Sequence, residues 1–144
     1  MAGHLLATTP LHLGRGAKAH VEPAFTGMEW YADYGARHAA DGAEGRLVSM
    51  HTFTGPWGSW EMHQAGDEVV LCTAGEMTLH QQWPDGRVET VTIGAGEYAI
   101  NPPGVWHTAD IAGEATAVFI TAGMGTENRP RSSDKLLQDV GHPA

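Results

Sequence analysis

Cysteine is almost absent from this sequence. Its 144 residues include one, Cys72. A single cysteine excludes an intramolecular disulfide framework and a cysteine-rich zinc module, and it is compatible with a reducing compartment. Because no lysine or arginine lies close to Cys72 in the sequence to lower its pKa, we expect a small buried apolar side chain rather than a reactive thiolate.

Basic residues and long apolar runs are also scarce. Eight Lys and Arg are scattered singly among 17 Asp and Glu, which gives a formal net charge of −9. Without a basic stripe to neutralise phosphates, neither nucleic acid nor a membrane surface is an expected partner. No run approaches the ~20 apolar residues of a membrane span, and the first residues lack the basic start of a signal peptide. We therefore expect a cytoplasmic protein.

Glycine and proline are abundant, and their positions organise the chain. The 19 Gly and 8 Pro separate short runs in which apolar and polar residues alternate. Such runs predict β-strands, and the absence of a long helical period favours an all-β antiparallel sandwich or barrel. The predicted strands cover residues 47–54, 59–62, 68–73, 76–83, 88–93, 97–100, 106–111 and 115–121.

The length of the chain predicts one domain. We assign residues 46–125 to the barrel. Residues 1–45 contain an aromatic cluster and are expected to form an extension that packs on the barrel or on a dimer partner. Residues 126–144 are expected to be a C-terminal tail, with a helical turn or two at 133–140. A homodimer is expected because the open edge strands of a small barrel need covering.

Two stretches of the sequence carry side chains that bind metal ions. On a predicted strand, Glu61 and His63 are two residues apart and face the same side, and Glu68 begins the next strand after a turn. The second stretch presents His107 just after a Pro-Pro-Gly turn. Imidazole and carboxylate donors on a rigid sheet suit one divalent transition metal ion per chain, with Fe, Mn, Ni, Co and Zn as the candidates.

These stretches resemble the two signature motifs of the cupin superfamily, G-x5-H-x-H-x3,4-E-x6-G and G-x5-P-x-G-x2-H-x3-N. The first motif is matched at Gly55, His63, Glu68 and Gly75, and the second at Gly96, Pro102, Gly104 and His107. The departures are Glu61, where the family usually has its first histidine, and Ile111, where it has asparagine. The resemblance implies a double-stranded β-helix, or jelly-roll, barrel. It also implies a divalent metal ion held in the barrel mouth by the motif residues.

Glu61 leaves three alternatives open. It could be a fourth metal ligand beside His63, Glu68 and His107, which would bring the net charge of a divalent centre to zero. It could stay uncoordinated and act as a general base, while the other three side chains form the two-histidine, one-carboxylate triad associated with oxygen-activating iron. The third alternative is a cupin that has lost its metal.

Three aromatic side chains are candidates for contact with a substrate. Trp57 has the strand parity of Glu61, Tyr98 lies near the second motif, and His51 lies on one face of its predicted strand. In contrast, Trp60 and Met62 alternate with the metal-binding positions, so we expect them to face away and to pack at a sheet or subunit interface.

Other polar side chains receive weaker assignments. His80 is expected to be solvated, and Arg129 and Arg131 are expected to lie in a solvated tail, with a clamp for a substrate anion as the alternative. The histidines outside the predicted barrel receive no role.

The resemblance implies a small-molecule ligand and favours a metal-dependent enzyme that acts on a small polar substrate. Within that class we expect dioxygenase-type chemistry ahead of isomerase or lyase chemistry of the sugar-phosphate isomerase kind. The alternatives are a non-catalytic small-molecule binding cupin and a structural protein with a filled barrel, because fold does not fix function.

Overall fold

Ten strands and one α-helix make up the regular structure of residues 2–131, the part of the chain that the computed structural model describes. The helix predicted at 133–140 lies outside these residues. The strands are β1 (Leu11–Gly14), β2 (Lys18–Val21), β3 (Arg46–Phe53), β4 (Ser59–Met62), β5 (Glu68–Gln82), β6 (Val88–Gly94), β7 (Tyr98–Asn101), β8 (Trp106–Asp110), β9 (Ala115–Thr121) and β10 (Glu127–Pro130). The helix, α1, is Glu29–Arg37, and short 3₁₀ segments lie at Arg15–Ala17 and Ala39–Glu44.

Strand β5 belongs to two antiparallel sheets. Its first half pairs with β7 and β9, in a sheet that continues through β3 and β1 to β2. Its second half pairs with β6 and β8, in a sheet that continues through β4 to β10. Apolar side chains of both halves, such as Val70 and Leu79, are fully buried in one core between the sheets. The expected all-β jelly-roll barrel is therefore confirmed.

The runs predicted separately at 68–73 and 76–83 form this one strand. A register shift between Cys72 and Ala74 marks an irregularity at the junction of its two halves. Gly75 follows with φ +74, and a Cβ at that position would lie 2.1 Å from the carbonyl oxygen of Glu114. Glycine is therefore required both by the backbone conformation and by the close approach of β9. The side chain of Cys72 is fully buried, as expected from the sequence.

Helix α1 lies N-terminal to β3 and is attached through aromatic side chains. Trp30 is buried, donates its indole N–H to the carbonyl of Pro23 at 3.0 Å, and stacks on Tyr34 with ring centroids 5.4 Å apart. Glu29 in the first turn and Arg37 in the last turn have the signs that the helix dipole favours. No helix among residues 2–131 is long and apolar enough to cross a membrane.

Two expectations of solvent exposure are wrong. His80 is 9% exposed and its Nε2 lies 2.8 Å from Asp110 Oδ2. The side chain of Arg131, which is 2% exposed, donates to the other oxygen of Asp110 at 2.7 Å and to the carbonyl of Ala109 at 3.0 Å. Burial alone would raise the pKa of Asp110, but these hydrogen bonds outweigh it and the pKa falls below its ordinary value.

Strand pairing explains both results. The pairing of β5 with β8 brings His80 beside the strand that carries Asp110, and the pairing of β10 with β4 carries Arg131 across the barrel to the same carboxylate. The guanidinium of Arg129 likewise lies 5.1 Å from the ring centroid of Trp60 and 4.6 Å from that of Trp106. Trp60 is only 1% exposed, so it packs within the barrel under this arginine.

The junction in β5 yields a prediction for Gly75→Ala. We expect this variant to lose more than about 4 kcal/mol of unfolding free energy, because the new Cβ meets backbone that cannot move aside. The matched control is Gly96→Ala, whose φ of +88 is strained but whose Cβ position has nothing within 4 Å. It should lose about 1–2 kcal/mol from backbone strain alone. Urea unfolding measures both, and equal losses would contradict this account of the junction.

Candidate metal centre

The pairing of strands brings the four candidate ligands together. Glu61 on β4 lies directly opposite His107 on β8. His63 follows the end of β4, and its carbonyl accepts a hydrogen bond of 2.9 Å from the backbone N–H of Gly104, in the turn that precedes His107. Glu68 begins β5. One nitrogen or oxygen atom from each of the four side chains lies within 4.8 Å of the others.

Within this cluster, Glu68 lies closest to both histidines. Its Oε2 is 3.1 Å from His63 Nε2 and its Oε1 is 3.2 Å from His107 Nε2. Glu61 Oε2 is 3.8 Å and 3.9 Å from the same two nitrogens. His63, Glu68 and His107 are all buried, whereas the side chain of Glu61 is 35% exposed. Three members therefore form the floor of the cluster, and Glu61 lies at its open side.

Hydrogen bonds on the far side of each imidazole ring fix its tautomer. Thr126 donates its hydroxyl to the carbonyl of Gly123 at 2.9 Å, so at His63 Nδ1, 2.8 Å away, it can only accept. His107 Nδ1 lies 3.5 Å from the carbonyl oxygen of Val105, which also can only accept. In the neutral rings both Nδ1 atoms therefore carry the proton, and both Nε2 atoms present a lone pair to the cluster.

These two Nε2 atoms are buried and have no hydrogen-bond partner among the described residues. If both rings are neutral, their short contacts with Glu68 join lone pairs to a carboxylate, whereas a proton on either Nε2 turns that contact into a hydrogen bond. The neutral arrangement is unfavourable unless a proton or a cation lies among the atoms. The donor set, two imidazole nitrogens and two carboxylates, suits a divalent transition metal ion.

Glu68 is held as an anion by side chains that the sequence motifs do not include. Asn101 donates to its Oε1 at 3.0 Å, and Thr121 donates to its Oε2 at 2.6 Å. Gln81 donates to the Asn101 side-chain oxygen at 2.9 Å and so orients that amide. Burial alone would raise the pKa of Glu68, but the two facing histidines lower it well below its usual range.

The other two shifts in the cluster follow from the same charges. Burial and the neighbouring carboxylate of Glu68 raise the pKa of Glu61. Burial alone would lower the pKa of His63, but Glu68 and Glu61 outweigh it and raise that pKa. The raised pKa of His63 indicates negative potential at the centre of the cluster, because it arises from the two carboxylates in spite of burial. A metal cation would be attracted by the same potential.

The sequence analysis missed the supporting residues for different reasons. Asn101 directly precedes the Pro-Pro-Gly turn, so its position beside the second motif was a usable signal. Thr121 ends β9, and Thr126 lies in the loop that follows. Neither threonine has a local pattern that marks it, because each reaches the cluster only through strand pairing.

The cluster opens into a cavity of about 1010 Å³ between the barrel and α1. Its walls are rich in aromatic rings, and no Lys or Arg is found among the described residues that line it. The rings of the wall include Tyr31, Tyr34, His51, Phe53, Trp57 and Phe119. Burial lowers the pKa of His51, which favours a neutral ring in this wall.

Of the three residues expected to contact the substrate, two line the cavity and one does not. His51 and Trp57 line the cavity, and the ring of Trp57 lies 6.2 Å from that of His107. Tyr98 does not line it and is 65% exposed. The physical reason is that Tyr98 shares the outward face of β7 with Ile100, which is 47% exposed. Closeness to the motif in the sequence therefore did not bring Tyr98 to the cavity.

No protein-family model matches the sequence, and no curated protein sequence matches it. Among solved structures, oxalate decarboxylase from Bacillus subtilis matches with a TM-score of 0.51 and 13% identity, over 67% of this chain and 26% of the decarboxylase chain. This chain thus spans about a quarter of the decarboxylase, a cupin with Mn(II) centres.

Two smaller proteins match with lower TM-scores. A cupin-2 domain protein from Shewanella frigidimarina is 26% identical over 60% of this chain and 71% of its own, with a TM-score of 0.42. A protein from Neisseria meningitidis is 27% identical over 52% of this chain and 71% of its own, with a TM-score of 0.43. The similarity to the decarboxylase shows the fold, and it agrees with the resemblance that the two sequence motifs carry.

The role of Thr126 yields a prediction for the Thr126→Val variant. Removing the hydroxyl leaves His63 Nδ1 without its acceptor, so we expect its neutral ring to become a mixture of tautomers. His107 is the internal control, since its Nδ1 faces a backbone carbonyl and should keep the proton. Imidazole ¹H–¹⁵N correlation spectra of metal-depleted protein at alkaline pH report both rings. An unchanged His63 tautomer would contradict the assignment.

Proposed function

We propose that this protein, a cupin by its fold, is a metal-dependent enzyme whose divalent transition metal ion is held by Glu61, His63, Glu68 and His107. The observation that carries the proposal is the convergence of two buried imidazole Nε2 atoms and two carboxylates within 4.8 Å of one another. A proton or a cation shared by these atoms relieves their mutual repulsion. Hydrogen bonds with Asn101, Thr121 and Thr126 hold Glu68 and His63 in orientations that suit metal binding.

The distances within the cluster are compatible with one shared ion. With metal–ligand distances of about 2.1 Å, two ligand atoms of the same ion are about 3.0 to 4.2 Å apart. The four contacts in the cluster, 3.1, 3.2, 3.8 and 3.9 Å, fall within this range. We therefore assign Glu61 as a fourth ligand on the open side of the cluster, which faces the cavity.

The charge of the site favours a neutral substrate. Two carboxylates balance a divalent ion, and no lining side chain among the described residues is a lysine or arginine that would bind a phosphate. This argues against sugar phosphates. Aromatic walls instead favour a small aromatic or enolic molecule, bound through an oxygen atom that reaches the ion and a ring that packs on Trp57 and Phe119.

For the reaction we propose dioxygenase-type oxidation of such a substrate, with dioxygen as the co-reactant. The bound metal would supply activation of dioxygen and polarisation of the substrate oxygen. The protein's own residues orient the donors, pack the substrate ring and exclude water. Isomerase or lyase chemistry is the second candidate, and a non-catalytic binding cupin is the third. The two catalytic candidates require the metal ion and the cavity, whereas a binding cupin requires only the cavity.

A homodimer and a cytoplasmic location remain part of the proposal. Strand β2 supports the dimer, since it is the edge of its sheet and all four of its residues are exposed. An exposed edge strand is a template for pairing with another chain.

The metal assignment predicts that purified protein carries one first-row transition metal ion per chain. His63→Ala and His107→Ala should each weaken metal binding by more than about 100-fold, since even residues that only support ligands cost 10 to 100-fold. His51→Ala is the control, because His51 lines the same cavity outside the cluster. Competition with a chromophoric chelator measures the affinities. Equal affinity in all three variants and the wild type would exclude this site.

Glu61→Ala tests the fourth ligand separately. If Glu61 is a ligand, the variant binds the metal more weakly than wild type. If it keeps wild-type metal affinity and loses only oxygen consumption with catechol, Glu61 is a base and the ligand assignment is wrong.

The substrate class predicts that metal-loaded protein binds catechol and shows no binding of glucose 6-phosphate at the same concentration. Trp57→Ala should weaken catechol binding by about tenfold, the effect of losing an aromatic contact. Tyr98→Ala is the control, because Tyr98 is exposed outside the cavity. Isothermal titration calorimetry gives all four values. Preferential binding of the sugar phosphate would refute the neutral aromatic class.

A further inference from the structure

A second chain of hydrogen-bonded side chains lies in the wall of the same cavity. His12, on β1, has its Nε2 2.6 Å from Asp41 Oδ2 and its Nδ1 2.5 Å from the hydroxyl of Tyr34. Tyr34 is on α1 and Asp41 is in the segment that follows it. Both His12 and Tyr34 line the cavity. None of the three residues belongs to the metal cluster.

The positions of the protons follow from what each group can donate. The hydrogen bond with His12 is the main cause that lowers the pKa of Asp41, so Asp41 is a carboxylate and accepts only. His12 Nε2 therefore carries a proton and donates it. The neutral ring then has a bare Nδ1, which accepts from the Tyr34 hydroxyl. Burial, together with the charges of Glu22 and Asp41, raises the pKa of Tyr34 and keeps this phenol protonated.

The backbone is shaped to enclose the His12–Asp41 pair. His12 is 1% exposed. A Cβ on Gly45 would lie 2.9 Å from His12 Cε1, and a Cβ on Gly14 would lie 2.9 Å from Asp41 Oδ2. The second oxygen of Asp41 accepts from the backbone N–H of Arg15 at 3.4 Å. Glycine at both places lets the chain pack directly against the pair, which leaves His12 buried and Asp41 partly exposed.

The geometry of this group suits proton transfer better than binding of a metal ion. His38 contributes a third potential ligand, but its ring stacks on that of His12 with centroids 3.6 Å apart and planes 15° from parallel. Imidazole lone pairs lie in the ring plane, so two stacked rings do not direct them to one ion. His38 Nε2 is also engaged with Glu22 at 2.9 Å, and Glu22 is neutralised further by Arg37 at 3.0 Å.

The charged and titratable groups around His12 come from each element packed against it. Asp41 and His38 contact it from the segment after α1, Tyr34 contacts it from α1, and the ring of His20 on β2 lies 5.8 Å away. Asp41 is the acid in direct contact with His12. A proton that reaches Nδ1 would therefore be stabilised by the carboxylate bonded to Nε2.

We propose that Tyr34 is an acid–base residue for ligands in this cavity, connected through His12 to Asp41. The hydroxyl of Tyr34 accepts a proton from a phenolic or enolic O–H and passes its own proton to His12 Nδ1. The ligand O–H bond and the original Tyr34 O–H bond break, while a new Tyr34 O–H bond and an N–H bond on His12 form. The ligand becomes an anion, His12 becomes an imidazolium beside Asp41, and no oxidant or reductant is consumed.

The proposal rests on the proposed function only for the class of ligand, and its test needs no metal. The probe is 4-nitrophenol, whose anion absorbs visible light. It is bound to chelator-treated full-length protein at about one pH unit below its own pKa, where about a tenth of the free probe is ionised. We expect the ionised fraction of the bound probe to be at least about threefold larger than that of the free probe.

Three variants separate the proton relay from a structural role. Tyr34→Phe keeps the ring but removes the hydroxyl, so the ionised fraction should fall to that of the free probe. Asp41→Asn keeps the Tyr34 hydroxyl but removes the charge that stabilises the imidazolium, so the ionised fraction should fall as well. Tyr98→Phe is the control and should match wild type, because Tyr98 is exposed outside the cavity.

The proposal is overturned if Tyr34→Phe ionises the bound probe as wild type does, because the network would then be structural only. It is also overturned if the wild type binds the probe in neutral form or does not bind it. Since the metal is removed in every arm, a failed metal site leaves these results unchanged. A failed relay equally leaves the metal stoichiometry of the cluster unchanged, so the two proposals fail separately.

Discussion

The repulsion among acceptor atoms at the barrel mouth is the constraint that the site depends on. Glu68 is buried between two imidazole nitrogens that present lone pairs to it, and a second carboxylate closes the open side. Without a cation or an added proton this arrangement would be unfavourable, because the two buried Nε2 atoms have lost their water without gaining a donor. Asn101 donates to Glu68 and Thr126 accepts from His63, and both hydrogen bonds hold the groups in this arrangement. The fold therefore holds the acceptor atoms of this cluster in positions that favour binding of a cation.

The barrel creates that arrangement through one strand. Strand β5 crosses from one sheet to the other. Its first residue, Glu68, therefore pairs with Asn101, and its second half pairs with β8, the strand that carries His107. Gly75 and the irregularity before it allow the crossing. Backbone geometry far from the cluster therefore decides whether Glu68 can reach both histidines. The same barrel leaves an aromatic cavity beside the cluster. Helix α1 borders that cavity, and the separate hydrogen-bonded group centred on His12 lies in its wall.

The sequence predicted those parts of the molecule that depend on local periodicity. The alternation of residues identified the strands, and the two-residue spacing of Glu61 and His63 placed them on one face. It could not identify Thr121 or Thr126, since each contacts the cluster through pairing between distant strands. The same limit explains His80 and Arg131, which were expected in solvent but meet at Asp110. Tyr98 illustrates the converse, because closeness along the chain did not bring it to the cavity.

The central claim is that the buried lone pairs of His63 and His107 bind a divalent transition metal ion together with the carboxylates. Anomalous diffraction from crystals of metal-supplemented protein, collected on both sides of the absorption edge of that metal, tests it most directly. The account predicts one anomalous peak per chain about 2.0–2.2 Å from both Nε2 atoms and from Glu68. A structure with no peak in the cluster, or with its only peak at His12, His38 and Asp41, would contradict the account.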